Sequence, residues 1–201
     1  MHPTPLFPLP LVVYPGATAP LHIFEPRYRQ MVACCLAGGR EFGVIHHDPD
    51  EAGPFLMEPG RVGTRVRILE SRALPEGRSL ILVRGMGRFA IAREREMTRP
   101  WYEADLLPFE DESVPRHTAI CEARRATLEL FHAVVERLDD GPEELPEFDL
   151  SDDLSFQLAP AVQIDLRWQQ SFLELRSEIG RLERLDAVFQ AAVEAWRPDR
   201  G

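Results

Sequence analysis

Lysine is absent from the 201 residues, so all 23 basic side chains are arginine. A P-loop needs a lysine ammonium on the phosphates, Schiff-base enzymes need a lysine amine, and Ser-Lys hydrolases need lysine as the base. None of these sites can be assembled from this sequence. Asparagine is missing too, a compositional bias that carries no functional reading. Cysteine is scarce: adjacent Cys34 and Cys35, with Cys121 far away, do not form a secreted disulfide framework and read as small core hydrophobes. No apolar run approaches the roughly 20 residues that cross a bilayer. The start MHPTPLFPLP has no positive segment ahead of a continuous apolar core. The expected location is the cytoplasm.

Positive charge is in deficit as well. With 33 acidic residues against 23 basic ones the net charge is -10, and the averaged field repels nucleic acid and anionic membranes. What is present is ordinary for a globular protein: 44% hydrophobic and 28% charged residues build a self-sufficient core without a metal or disulfide staple. The 18 prolines point to many extended and turn segments.

The first half reads as strands and turns. Leu9 to Val13 is an apolar run ended by Tyr14-Pro15-Gly16, and Leu21 to Phe24 is a second, closed by Glu25-Pro26. Pro26 suits a first helical turn, Glu25 favours the positive end of the dipole, and Gly38-Gly39 supply a stop, which predicts a helix over 26–37. Phe42 to His46 is another strand. From Arg61 to Glu70 the pattern has period two, with Val62, Thr64, Val66 and Ile68 on one face and Arg65 and Arg67 on the other. Pro75-Glu76-Gly77 signals a turn into the strand Ser79 to Val83, so the two pair as a hairpin. Gly85 and Gly87 before the strand Arg88 to Ala92 suggest a bulge or bend. Trp101 to Leu107 completes a set of about six short strands, the pattern of a small barrel or sandwich.

Past Glu110-Asp111-Glu112 the period becomes 3.6. Ile120, Ala123, Thr127, Leu130, Val134 and Leu138 mark a long amphipathic helix, Pro115 to Leu138, ending at Asp139-Asp140-Gly141. A linker from Pro142 to Asp149 follows. Ser151 is read as capping a short helix to about Val162, Asp165 as opening another, and Ile179, Leu182, Leu185, Phe189, Val193 and Trp196 as lining the last. The layout is α+β, with residues 1–112 strand-rich and residues 113–201 a helical bundle.

The run Phe7-Pro8-Leu9, Pro15-Gly16 and Pro20-Leu21-His22-Ile23-Phe24-Glu25-Pro26-Arg27-Tyr28 resembles the opening signature of the N-terminal, substrate-binding domain family of Lon proteases. Val62-Gly63-Thr64, Gly77-Arg78, Gly87-Arg88-Phe89 and Trp101-Tyr102 look like later landmarks, and Gln169, Leu173, Leu175 and Arg181-Leu182 match more loosely. The resemblance implies a PUA-like β pseudo-barrel followed by a helical bundle, without a cofactor. It further implies a docking role: unfolded or degron-bearing polypeptides, or a partner protease, would be bound, in a monomer or a homo-oligomer. The expectation is a stand-alone, non-catalytic form of the domain, without ATPase and peptidase domains.

Within that resemblance Pro15, Gly16, His22, Phe24, Glu25, Pro26, Arg27 and Tyr28 read as fold determinants: turn, helix start, charge-assisted pair and core area. For polypeptide capture the candidates are apolar residues near a loop or sheet edge: Phe55, Leu56 and Met57, flanked by Pro and Gly, with Trp101 and Tyr102. Core packing is the competing reading for each. His46-His47-Asp48 with Asp50 and Glu51 has ligand residue types, but adjacent strand residues point to opposite faces, so a solvated loop is favoured over a metal site. Ser151, Ser155 and Ser171 lack a nucleophile-elbow setting. The arginines between Arg61 and Arg72 and between Arg84 and Arg95 alternate with core residues and glutamates, the pattern of a solvated strand face. Nucleic-acid or small-ligand binding on the same barrel is the alternative function, and catalytic, cofactor and metal sites are expected to be absent.

Overall fold

The computed structural model describes residues 3–96, 98–112, 117–137, 147–162 and 164–195, apart from the side chains of residues 51 and 52. The chain divides into two compact units, Met1–Glu110 with Gln163–Glu174, and Asp111–Val162 with Leu175–Gly201. Among the described residues no helix is long and apolar enough to cross a membrane.

The first unit holds the strands β1 (Thr4–Leu9), β2 (Thr18–Ile23), β3 (Glu41–His46), β4 (Val62–Ala73), β5 (Ser79–Glu94) and β6 (Tyr102–Pro108). The order is β2-β5-β4-β3-β1-β6, and β6 also pairs with β5. Five strands therefore close into a ring, while β2 lies along the first half of β5. The ring removes most of the exposed sheet edge. β1 and β3 are parallel, and the crossover between them carries β2 and the helix α1 (Pro26–Ala37). This α1 has the expected bounds, with Pro26 in its first turn and Gly38 at its C-cap. A single turn, α2 (Pro49–Ala52), follows β3, capped by Asp48, whose side chain accepts from the amide of Asp50 at 2.9 Å.

β1 is shifted from its expected place. Residues 9–13 are not in a ladder; the strand is Thr4–Leu9, with two prolines. The ladders are staggered: Pro5 is paired only to Glu103 of β6 and Pro8 only to Ile45 of β3. Each proline thus has a ladder on one side only, where a residue that cannot donate is tolerated. The strand ends where the Leu9 carbonyl accepts from the amides of Leu11 and His47, both at 2.8 Å. Val12, Val13 and Tyr14 are nevertheless buried, and the Val13 carbonyl accepts from buried Thr64 Oγ1 at 2.5 Å.

β4 follows its period-two pattern: Val62, Thr64, Val66 and Ile68 are buried and Arg65 and Arg67 exposed. β5 is one strand where two were expected, and the glycines form a bulge inside it. Arg65 pairs with Gly87 and Val66 with Gly85, leaving Met86 as the extra residue. Gly85 is required by a close approach: a Cβ there would lie 2.1 Å from the Tyr14 carbonyl oxygen. That approach is held by two backbone bonds of 2.9 Å, Gly16 to Gly85 and Gly85 to Ala17. Because successive strand residues face opposite ways, two apolar clusters result. Phe7, Phe42, Val44, Val66, Ile81 and Val83 pack with Tyr28, Met31 and Val32 of α1. Leu6, Ile45, Phe89, Ile91 and Ala104 pack with Phe55 and Met57.

α5 (Leu166–Leu173), opened by Asp165, whose side chain accepts from the Trp168 amide at 2.9 Å, groups with the strands and not with the other helices that follow β6. Gln170 donates to the Val62 carbonyl, Arg88 donates to the Leu173 carbonyl, and Phe172 meets Tyr14 edge-on at 5.7 Å.

The second unit contains α3 (His117–Val135), α4 (Leu154–Leu158) and α6 (Glu178–Ala195), with η1 (Ala159–Ala161), a single 3-10 turn, after α4. The expected helix limits Pro115 and Leu138 lie outside the described residues, as do Asp139-Asp140-Gly141, Pro142 to Leu145 and Trp196. Ser151 is not the cap of the short helix. Asp153 is, accepting from the amide of Phe156 at 3.3 Å, while Ser151 bonds Asp149. Phe131 of α3 meets Phe189 of α6 at 5.7 Å. Arg181, fully buried, donates to Asp111, Asp153, Ser155 and the Leu175 carbonyl.

Candidate functional site

Parallel pairing of β1 with β3 and antiparallel pairing of β1 with β6 bring together segments far apart in sequence: the end of β1, the corner between β2 and α1, the loop after β3, and the start of β6. Between them lies a cleft of about 510 Å³. Its walls include Phe7, His22, Phe24, Glu25, Arg27, Tyr28, His47, Phe55 and Tyr102, with Pro8, Pro10, Pro49 and Pro54 around it. A pocket rich in rings and stiff prolines, with few polar groups, suits an apolar guest and changes little on binding.

The aromatic walls hold one another. Phe7 and Tyr28 lie 4.0 Å apart, Tyr102 meets the edge of Phe55 at 4.9 Å, and Phe55 in turn meets His47 at 5.3 Å. Arg61 covers Phe55 from behind, its guanidinium carbon 4.7 Å from the ring centre, and is fixed by donating to the carbonyls of His46 and Leu56. Phe24 stands at the mouth with 58% of its surface exposed, and His22 lies 5.6 Å from it. An exposed phenylalanine costs free energy in water and is a natural contact for a partner.

Charge enters through one pair. Arg27 Nε donates to Glu25 Oε2 at 3.0 Å, and its guanidinium carbon lies 4.5 Å from the Tyr28 ring centre and 5.7 Å from that of Tyr102. Burial works against the Arg27 charge, but Tyr28, Glu25 and a hydrogen bond to Tyr102 outweigh it and raise its pKa. Burial also pushes the Tyr28 hydroxyl well above the ordinary phenol range, so it stays protonated. The cleft therefore has an aromatic lining and an internally neutralised ion pair. Among the described residues no group of three or more His, Cys, Asp or Glu is placed to hold a metal.

Five of the eight signature residues, His22, Phe24, Glu25, Arg27 and Tyr28, line this cleft. Pro26 starts α1, and Pro15 and Gly16 form the turn ahead of β2, with Gly16 at φ +79. Of the capture candidates, Phe55 and Tyr102 are on the wall. Met57 is buried in the second core cluster, Trp101 is buried in the first, and Leu56 is 60% exposed but outside the lining. His47 is not in a solvated loop: it is buried, and its Nε2 lies 2.8 Å from the Gly53 carbonyl oxygen. Several strand arginines are matched by acids, Arg67 by Glu41 and both Arg93 and Arg95 by Asp105. Sequence reasoning missed the contribution of Phe7, Pro8, Pro10 and His47, because only long-range strand pairing brings them to the cleft.

A family model described as the ATP-dependent protease La (LON) substrate-binding domain matches residues 3–186. The Lon protease of Cytophaga hutchinsonii is 27% identical over 102 residues, 50% of this chain and 12% of that protein. The Lon protease of Dictyoglomus thermophilum is 28% identical over 142 residues, 70% of this chain and 18% of that protein. The chain thus spans less than a fifth of the length of these relatives. Among solved structures, a Lon N-terminal domain protein from Xanthomonas campestris superposes with a TM-score of 0.62 at 25% identity, over 93% of this chain and 98% of that one. The N-terminal domain of the Mycobacterium avium complex Lon protease gives 0.68 at 15% identity, over 94% and 98%, a likeness of fold.

Proposed function

Because the chain belongs to the substrate-binding domain family of ATP-dependent protease La (Lon), we propose that it is a non-catalytic module that docks segments of other polypeptides. The docking place is the cleft between β1, the β2–α1 corner, the loop after β3 and β6. The observation that carries this reading is the convergence of Phe24, exposed at the mouth, with Tyr28, Phe55 and Tyr102 on pre-packed walls. An unfolded chain offers large apolar side chains that a folded one hides, and such side chains gain most from an aromatic, proline-stiffened pocket. The guests are unfolded or degron-bearing polypeptides or a segment of a partner protease. The chemistry of cutting them lies elsewhere, since no lysine is present for a Ser-Lys dyad or a P-loop. The net charge of -10 and the matching of Arg67, Arg93 and Arg95 by acids weigh against nucleic acid as the guest. We place the module in the cytoplasm, in keeping with three free thiols.

The reading is tested by titrating fluorescently labelled, unfolded casein with the full chain. Micromolar binding that persists at high salt is expected of an apolar cleft. Absence of binding to any unfolded chain contradicts the proposal, and a steep salt dependence with retained RNA turns the assignment toward nucleic acid.

A further inference from the structure

A histidine and a cysteine stand four residues apart at the start of α3, His117 and Cys121. Positions i and i+4 of a helix lie one above the other on the same face, and here the two side chains meet: Cys121 Sγ is 3.7 Å from His117 Nε2. His117 is exposed and Cys121 half-buried, so the pair is open to solvent. The other two thiols are placed differently. Cys34 Sγ faces a cation, Arg99 Nη1 at 3.8 Å, and Cys35 is buried. Arg124, three residues beyond Cys121, donates to both oxygens of Glu178 and to the Leu150 carbonyl, so its charge is matched within the unit.

The spacing of the pair fits a shared metal ion. Zinc bonds a thiolate sulfur at about 2.3 Å and an imidazole nitrogen at about 2.0–2.1 Å in a tetrahedral shell, which sets the two donor atoms about 3.5 Å apart. The observed 3.7 Å corresponds to an angle at the metal of about 116° with those bond lengths. Sulfur and imidazole nitrogen suit zinc and its thiophilic neighbours, whereas calcium and magnesium take oxygen. One chain supplies half a shell: among the described residues no group of three or more His, Cys, Asp or Glu is placed to hold a metal.

We propose that one zinc-class cation is held by the His117 and Cys121 side chains of two copies of this chain, joining them through α3. Two thiolates and two imidazoles complete four-coordination and balance the double charge of the ion. Each Cys121 releases its thiol proton to water as the sulfur–metal bond forms, and each His117 coordinates through Nε2 as the neutral ring, with its proton on Nδ1. The solvent-facing position of the pair lets a second helix approach it. The site belongs to the helical unit and is independent of the docking role given to the aromatic cleft.

The experiment titrates zinc chloride into the full chain carrying Cys34→Ser, which removes the competing exposed thiol, with a non-thiol reductant present so that no disulfide forms. Calorimetry is expected to give half an equivalent of zinc per chain, and light scattering a doubled mass. Both are reversed by a chelator, and binding weakens at acid pH because the ligands must shed their protons. Cobalt(II) in place of zinc is expected to show sulfur-to-metal charge-transfer absorption, a direct sign of the thiolate ligand. Adding His117→Ala or Cys121→Ser leaves the circular dichroism of the chain unchanged and abolishes the doubling. Absence of zinc binding, one ion per chain without a change in mass, or doubling that survives Cys121→Ser overturns the proposal.

Discussion

Arg181→Met removes the most heavily bonded side chain of the helical unit while keeping its length. Arg181 is fully buried and donates through Nε to Ser155 Oγ at 2.8 Å, through both terminal nitrogens to the two oxygens of Asp111 at 2.8 Å, to Asp153 Oδ2 at 2.6 Å and to the Leu175 carbonyl at 2.6 Å. Its guanidinium carbon also lies 4.3 Å from the Phe156 ring centre. Breaking a buried ion pair from one side costs about 3–5 kcal/mol, because the partner charges stay behind. Here Asp111 and Asp153 keep 25% and 28% exposure, so water takes over part of the task and the lower end, about 3 kcal/mol, is expected. For a chain of this size that lowers Tm by roughly 6–12 °C. Scanning calorimetry on the full chain reads it. A variant that also replaces Asp111 by an apolar residue, leaving Asp153 in place as the α4 cap, should recover part of the loss, since one charge fewer is then stranded. A Tm for Arg181→Met within about 2 °C of the parent would refute the reasoning, and would mean that the cluster adds no net stability.

Gly85→Ala forces a Cβ onto the Tyr14 carbonyl and should cost about 2 kcal/mol or more through backbone displacement; urea unfolding measures it, and an unchanged midpoint contradicts the close approach. Asp105 is held below the usual carboxylate range mainly by its hydrogen bond to Arg95, with Arg93 adding to it against the opposing effect of burial. A depressed folded-state pKa contributes stability above the ordinary value and loses it as pH falls through the lowered one, so Asp105→Asn should lower Tm at neutral pH, and the difference from the parent should begin to shrink only below about pH 4 and close as pH falls through the lowered value. Burial, first, pushes the Cys35 thiol up to about 11, so in a chain carrying Cys34→Ser and Cys121→Ser a thiol reagent at mildly alkaline pH should react only slowly until denaturant is added; rapid native labelling contradicts the buried placement.

How far the fold could be read ahead depended on whether its cause was local. The alternation from Val62 to Ile68, the turn at Pro75-Glu76-Gly77 and the Asp165 cap all appear where one stretch of chain writes them. The bulge was signalled too, because Gly85 and Gly87 answer a need of the backbone. β1 was misplaced because Leu9 to Val13 is the more apolar run, whereas ladder membership is decided by β3 and β6, which stagger around Pro5 and Pro8. Ser151 and Asp153 are both good caps, and the choice falls to Asp153, which also bonds Arg181 from the other end of the unit. The site was legible as parts and not as a whole. Phe24, Tyr28, Phe55 and Tyr102 each stood out, but only the parallel pairing across the β2–α1 crossover sets them around one cleft.

The most direct test places a photoreactive phenylalanine analogue at position 24, at the mouth of the cleft, and separately at position 69, where Leu69 is 41% exposed and outside the lining. Irradiation in the presence of unfolded casein is predicted to cross-link from position 24 and not from position 69. Equal yields from the two, or a yield only from position 69, would contradict the assignment of polypeptide docking to the aromatic cleft.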